Sequence, residues 1–155
     1  MQRPLESWEW FVLLTVILGA AVFGHSSTAM SQTREEHCLA RNVYFEARGE
    51  SYEGQLAVAH VTLNRHSAGF ARSICGVVYQ PGQFTWTAKS RRYPRVEDPL
   101  YQFALRAART AVSDRQGDPT FGATHFDGSR RRPAWTRHAT LIRTIGGHRF
   151  YWMNP

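Results

Sequence analysis

The chain has 155 residues, of which 43% are hydrophobic, and this is enough for one domain with a buried core. Its formal net charge is +7, carried almost entirely by arginine, which suits an anionic polymer such as nucleic acid, an anionic membrane or the bacterial wall. Arginine bias from a GC-rich genome explains the same composition equally well. The sequence has no zinc-finger spacing, RNP sequence or basic region with heptads, so we do not expect a nucleic-acid-binding protein.

An uncharged apolar run covers residues 10–24 near the amino terminus. It is shorter than the roughly 20 residues of a membrane-spanning helix, which favours the core of a signal peptide. Ser27-Thr28-Ala29 offers small residues for a signal peptidase, with cleavage before Met30. Glu6 and Glu9 weaken the positive charge expected at the start, so an uncleaved anchor in the inner membrane is the competing interpretation. A buried core helix is a third.

These features predict an exported protein of the periplasm or cell wall. We expect a signal peptide or signal anchor at residues 1–29, a linker at residues 30–36 and one domain at residues 37–155.

Helical spacing of apolar residues predicts a first helix from Glu35 to Phe45, which Gly49 ends. Ser51 is a good N-cap for a second helix, Tyr52 to Arg65, which is apolar nearly all round and therefore expected at the centre of the domain.

Two further helices are predicted. A short third helix covers Ser73 to Tyr79, and residues 82–97 are expected to form an aromatic loop. Asp98 and Pro99 are an N-cap and a first-turn proline, which open a helix from Leu100 to Val112.

The last part of the chain changes character. Ala123 to Phe126 has the pattern of a short strand, and Gly146-Gly147 between Thr140 to Ile145 and His148 to Trp152 predicts a β-hairpin. The predicted fold class is therefore α+β, mostly helical, with a small C-terminal β-hairpin.

The chain has two cysteines, Cys38 and Cys75, 37 residues apart. In an oxidising compartment they can close a disulfide between the first and third helices. The alternative is two separate buried thiols. Two cysteines without clustered histidines do not indicate a metal site.

Glu46 is the first candidate for a catalytic residue. It ends an apolar helical run, at a helix C-terminus where a negative charge is mildly unfavourable. A carboxylic acid beside aromatic and aliphatic side chains resists ionisation, and a general acid needs this protonated state at neutral pH. Cleavage of a glycosidic bond needs such an acid next to the scissile oxygen.

Several segments, in this order along the chain, resemble the cell-wall hydrolase family typified by the catalytic domain of the spore-cortex-lytic enzyme SleB. The resemblance extends over about residues 37–152. The segments are Ala40 to Glu50, Gly54 to Ala59, Leu63 to Arg65, Val77 to Gln80, Gln83-Phe84, Gly122 to Phe126, Trp135 and Thr144 to Tyr151.

The resemblance implies a lysozyme-like domain that cleaves the peptidoglycan strand between N-acetylmuramic acid and N-acetylglucosamine, usually as a lytic transglycosylase. The catalytic glutamate of the family falls on Glu46. The mechanism requires no metal or cofactor, and the expected partner is peptidoglycan. The oligomeric state stays open.

Candidate substrate-binding residues have structural alternatives. Glu50 is a second carboxylate of the site or an acid stabilised at a helix start, and Arg48 holds Glu50 or a substrate group. A glycan platform or a loop anchor is expected at Gln83, Phe84 and Trp86. His125 is expected to border the cleft, and Trp135 is expected to form the wall of a subsite.

Three other functions compete with a lytic transglycosylase. A hydrolytic muramidase would use Glu50 or Asp127 as its second carboxylate. A non-catalytic wall-binding module would not need Glu46, and an export signal argues against a nucleic-acid-binding protein. The sequence leaves open whether such an enzyme remodels its host's wall or serves as a phage endolysin.

Overall fold

The computed structural model describes residues 33–89, 93–128 and 132–153. Chain contacts divide the protein into two units between residues 34 and 35, and the hydrophobic core lies in the second unit. The predicted signal segment at residues 1–29 lies outside the described residues. Within the described ranges, none of the helices has the length and apolarity needed to span a membrane.

The described residues in the first part of the domain form five α-helices. They are α1 (residues 33–47), α2 (Tyr52–Ser67), α3 (Ile74–Val78), α4 (Thr85–Lys89) and α5 (Pro99–Ser113). Two differ from the prediction. The polar residues 33 and 34 did not indicate a helix, but α1 already includes them, so it overlaps the predicted linker at residues 30–36. The aromatic segment at 82–97 contains α4, because tertiary packing of Trp86 overrides weak local signals.

Side-chain caps set where three helices begin. The caps at Ser51 and Asp98 were predicted, whereas the sequence placed Ser73 inside the third helix. The Ser51 hydroxyl accepts a hydrogen bond from the Gly54 amide at 3.2 Å, and Ser73 accepts one from the Gly76 amide at 2.9 Å. Asp98 accepts one from the Leu100 amide at 2.9 Å and precedes Pro99 in the first turn of α5.

The C-terminal part is a three-stranded antiparallel sheet in the order β1-β3-β2. The strands are β1 (His125–Gly128), β2 (Thr140–Ile145) and β3 (His148–Trp152), with a 3-10 helix at Ala134–His138 before β2. The predicted hairpin is confirmed. Its turn places Gly146 at a φ of 56°, a left-handed conformation that glycine adopts without strain.

Helix α2 lies at the centre of the core, as expected from its apolar sequence. Its buried Val58 and Val61 pack in one cluster with Leu39 of α1, Ala104 of α5 and Phe150 of β3. Burial of each Val or Leu side chain stabilises the fold by about 1.5–3 kcal/mol. The ends of α1 and α2 are therefore held against the sheet by a continuous apolar core.

A disulfide joins Cys38 in α1 to Cys75 in α3, with their Cα atoms 5.2 Å apart. The amide of Cys75 also donates a hydrogen bond of 2.9 Å to the Glu35 carboxylate, back at the start of α1. The covalent bond fixes the helix that carries Glu46 to the segment before α4.

Candidate active site

Glu46 lies in the last turn of α1 and is half-buried. Burial raises the pKa of its carboxyl group above the ordinary value, and the nearby charge of Arg65 opposes part of this rise. Desolvation disfavours the ionised form because the apolar surroundings replace water. The structure thus gives Glu46 the property that a general acid requires, a proton retained to higher pH than an exposed glutamate retains it.

An aromatic pair lies beside this acid. Phe45, next to Glu46 in the sequence, stacks on Trp86 with ring centroids 4.5 Å apart. The Trp86 indole donates a hydrogen bond of 3.1 Å to Asn42, one turn before Glu46, and Asn42 donates one of 3.0 Å to Thr62. This buried polar chain holds α4 against the part of α1 that carries the acid.

Arg65, in the last turn of α2, is the charge partner of Glu46. Its Nε donates a hydrogen bond of 2.6 Å to the Thr124 carbonyl, and its guanidinium carbon lies 5.2 Å from the centroid of the Phe84 ring. Burial lowers its pKa to about 10, against the opposing effect of Glu46. Its Nη1 is buried without a hydrogen-bond partner in the described part of the chain.

Arg65 has two effects in the structure: its Nε atom holds the backbone before β1, and its charge acts on Glu46. In the sequence, an arginine near the end of a helix that is apolar nearly all round is the signal that points to a charge partner.

Asp118 organises the loop that leads into β1. Its carboxylate accepts hydrogen bonds from the amide of Asn64 at 2.9 Å, from Thr120 and from the Gly122 backbone at 2.8 Å. Asn64 also donates to the Ala123 carbonyl at 3.0 Å. Two successive residues at the end of α2, Asn64 and Arg65, therefore fix the backbone just before His125.

His125 and Trp135 come together at one edge of the site. The two rings lie 5.7 Å apart, and Trp135 packs edge-on against Tyr151 at 5.2 Å. Burial lowers the pKa of His125, and the charge of Arg65 lowers it further. His125 is therefore neutral at pH 7 and suited to hydrogen bonding, with its Nδ1 already 3.0 Å from the Thr124 hydroxyl.

Glu50 connects the start of α2 to the β-hairpin. Its carboxylate accepts a hydrogen bond of 2.9 Å from the Gly147 amide and lies 3.8 Å from Nδ1 of His148. A Cβ on Gly146 would overlap this carboxylate, so glycine is required there for space as well as for backbone conformation. Glu50 thus has a clear structural function.

Arg48 is exposed in the turn after α1, and its guanidinium carbon lies 5.1 Å from the centroid of the Tyr44 ring in α1. This cation–π contact places the Arg48 guanidinium over the Tyr44 ring. The Glu50 carboxylate, which was one predicted partner of Arg48, contacts the hairpin turn.

The predicted glycan platform takes a different form in the structure. Phe84 and Trp86 are 4% and 9% exposed, which leaves neither ring a free face for stacking on a sugar. Both side chains anchor the α4 segment in the core, the alternative that the sequence left open. Gln83 remains partly exposed.

Asp127, the other candidate for a second carboxylate, forms a buried ion pair. Arg149 donates two hydrogen bonds to it, from Nε at 3.0 Å and from Nη2 at 2.8 Å. Within the described ranges, no group of three or more His, Cys, Asp or Glu side chains is arranged to hold a metal ion.

A family model described as cell wall hydrolase matches residues 49–151. The match begins three residues after Glu46, so it covers the partners of Glu46 but not Glu46 itself. Curated relatives extend the similarity. The chain is 38% identical over 114 residues to the spore cortex-lytic enzyme of Halalkalibacterium halodurans, covering 72% of this chain and 33% of the relative. It is 38% identical over 116 residues to that of Bacillus subtilis, covering 72% and 35%. The chain therefore spans about a third of the length of these relatives.

Two solved structures have the same fold. The catalytic domain of the germination-specific lytic transglycosylase SleB from Bacillus anthracis superposes with a TM-score of 0.65 and 33% identity, covering 76% of this chain and 93% of that one. The catalytic domain of Bacillus cereus SleB gives a TM-score of 0.62 and 31% identity, covering 77% and 90%. The expectation of a mostly helical, lysozyme-like domain with a small C-terminal β element is confirmed. The chain belongs to the cell wall hydrolase family.

Proposed function

We propose that this protein cleaves peptidoglycan strands between N-acetylmuramic acid and N-acetylglucosamine as a lytic transglycosylase, with Glu46 as its single acid and base. The observation that carries the proposal is the half-buried Glu46, whose pKa is raised by burial beside the charge of Arg65. The two SleB domains support it, because one of them is described as a lytic transglycosylase.

The reaction takes two proton transfers. Glu46 first protonates the glycosidic oxygen, so the bond from that oxygen to the anomeric carbon of the muramoyl residue breaks and N-acetylglucosamine leaves with a free hydroxyl. The C6 hydroxyl of the muramoyl residue then attacks the anomeric carbon and gives its proton to the Glu46 carboxylate. The product is a 1,6-anhydro sugar, and Glu46 is again protonated for the next cycle.

The other carboxylates support a single-acid mechanism. Glu50 accepts a hydrogen bond from Gly147, and Asp127 is paired with Arg149 through two hydrogen bonds. A hydrolytic enzyme would need one of them free to act as a nucleophile or to activate water. Both have structural functions instead, which favours attack by the sugar's own hydroxyl over attack by water.

Arg65 and His125 complete the proposed site. Arg65 stabilises the Glu46 carboxylate that forms after the first proton transfer, because its charge favours the ionised acid. His125 is neutral, and with Trp135 it forms an edge suited to hydrogen bonding and stacking with a sugar ring.

Export to the periplasm or cell wall is part of the proposal. The Cys38–Cys75 disulfide supports it, since disulfides persist mainly in oxidising compartments. The predicted signal segment supports it too, and anchoring in the inner membrane stays a prediction.

Incubation of the purified chain with peptidoglycan, followed by mass spectrometry of the released fragments, tests the proposal. We expect anhydromuramoyl ends, absent when Glu46→Gln replaces the wild type. Reducing muramoyl ends would assign a hydrolytic muramidase, and no product from walls of several chemotypes would indicate a binding module.

A further inference from the structure

A second polar cluster lies on the face of the sheet opposite the one that joins the core. Phe126 and Phe150 pack with the helices, so the residues that alternate with them, His125, Asp127 and Arg149, face the other way. The two hydrogen bonds between Arg149 and Asp127 hold the guanidinium of Arg149 in one orientation.

A cavity of about 150 Å³ lies beside this ion pair. Strand β3 contributes Arg149 and Tyr151 to its lining, and β2 contributes Leu141. The segment around the 3-10 helix contributes Arg132, Thr136 and Ala139. The volume is below the roughly 300–1,000 Å³ of pockets that take a whole small molecule. It suits one functional group with a few carbon atoms.

The charges around the cavity define the kind of group. Arg132 and Arg149 bring two positive charges, and Asp127 compensates one of them. Among the described lining residues one net positive charge therefore remains, that of Arg132, whose guanidinium group only donates hydrogen bonds. The fork of an arginine matches a carboxylate, and Leu141 and Ala139 offer apolar surface for an aliphatic stem.

The cavity is connected to the proposed active site along one face of the sheet. Tyr151, which lines the cavity, contacts Trp135, and Trp135 contacts His125. His125 and Asp127 are two residues apart on β1, about 7 Å along the strand. His125 in turn lies within the electrostatic influence of Arg65, the partner of Glu46.

We propose that this cavity binds a carboxylate of the stem peptide of peptidoglycan, so that the enzyme prefers strands that carry peptides. The inference rests on the proposed function. The peptide is attached through the lactyl group to the muramoyl ring that reacts. A ring placed at Glu46 therefore carries its peptide across the neighbouring surface, where the cavity takes one of the carboxylates.

Arg132→Ala tests the proposal, with Arg137→Ala as the matched control. Arg132 is exposed, so its removal leaves the core intact, and Arg137 is an exposed arginine of the adjoining 3-10 helix that does not line the cavity. Cleavage by each full-length protein is measured on intact strands and on strands whose peptides an amidase has removed. Binding of a free stem tripeptide is measured in parallel.

We expect Arg132→Ala to raise KM on peptide-bearing strands roughly three- to tenfold, the effect of losing one hydrogen bond at a solvent-exposed site, with kcat unchanged. On stripped strands its KM should equal that of the wild type. The variant should also bind the free tripeptide more weakly, and Arg137→Ala should match the wild type throughout.

Three results would overturn the inference while leaving the proposed function intact. They are equal KM values of the wild type on both substrates, an equal loss in Arg137→Ala, and competition by inorganic phosphate but not by the tripeptide. Failure of the wild type to cleave either kind of strand is a different outcome. It would overturn the proposed function and the inference with it.

Discussion

Glu46 at the end of α1 and Arg65 at the end of α2 each change the pKa of the other. Burial raises the pKa of Glu46 and lowers that of Arg65, and the attraction between the two opposes both shifts. Burial thus favours the neutral acid, and the attraction between the two groups favours the ion pair. A residue that must give a proton and then take one back needs this balance.

Replacement of Glu46 by Gln should lower kcat roughly 10²–10⁴-fold, the range for loss of a general acid and base. The fold should be retained. Because the raised pKa means that ionised Glu46 is unfavourable in the folded state, the variant should be at least as stable as the wild type at neutral pH. Release of anhydro-muropeptides and thermal unfolding measure the two effects, and an active variant would exclude Glu46 as the acid.

The activity should fall as pH rises through the raised pKa of Glu46, because only the protonated acid starts the reaction. Arg65→Gln removes the charge that lowers this pKa, so the alkaline limb of kcat/KM should move to higher pH. The pH profile distinguishes this role from a purely structural one. An unchanged profile in a folded variant would show that Arg65 does not act on Glu46.

The variant Glu50→Gln distinguishes a structural role of the Glu50 carboxylate from a catalytic role. The charge-assisted hydrogen bond to the Gly147 amide should weaken and lower the free energy of unfolding by about 1 kcal/mol, a value discounted for partial exposure. We expect most of kcat to remain. Loss of kcat as large as in Glu46→Gln, with stability intact, would instead identify Glu50 as a second catalytic group.

Removal of the disulfide should destabilise the domain without changing its chemistry. The bridge closes a loop of 37 residues, for which a loss of about 2–4 kcal/mol is typical. Cys38→Ser with Cys75→Ser should lower the melting temperature, and a reductant should have the same effect on the wild type alone. A melting temperature insensitive to both would contradict the prediction.

Asp118 should make stability depend on pH in the acid range. Burial alone raises its pKa, but hydrogen bonds from Asn64, Thr120 and Gly122 outweigh burial and hold the pKa below the ordinary value of 3.8. Stability from this group is therefore complete above that value and is lost as pH falls through the lower, folded-state pKa. Asp118→Asn should be less stable at neutral pH and lose less on acidification, as measured by denaturant titrations at several pH values.

The sequence by itself determined the elements whose signals are local. The N-caps Ser51 and Asp98 predicted two helix starts, and Gly146-Gly147 predicted the hairpin, because caps and tight turns depend on a few adjacent residues. Glu46 was also visible, as an acid in an apolar turn.

Only the tertiary structure decided what depends on residues far apart in the chain. Trp86 is buried against Asn42, so a helix forms where a loop was expected. The Glu50 carboxylate accepts a hydrogen bond from the Gly147 amide, 97 residues away. The tertiary structure also brought the charge of Arg65 to bear on Glu46. Burial and electrostatic pairing arise from distances across the fold, and local sequence patterns carry no information about those distances.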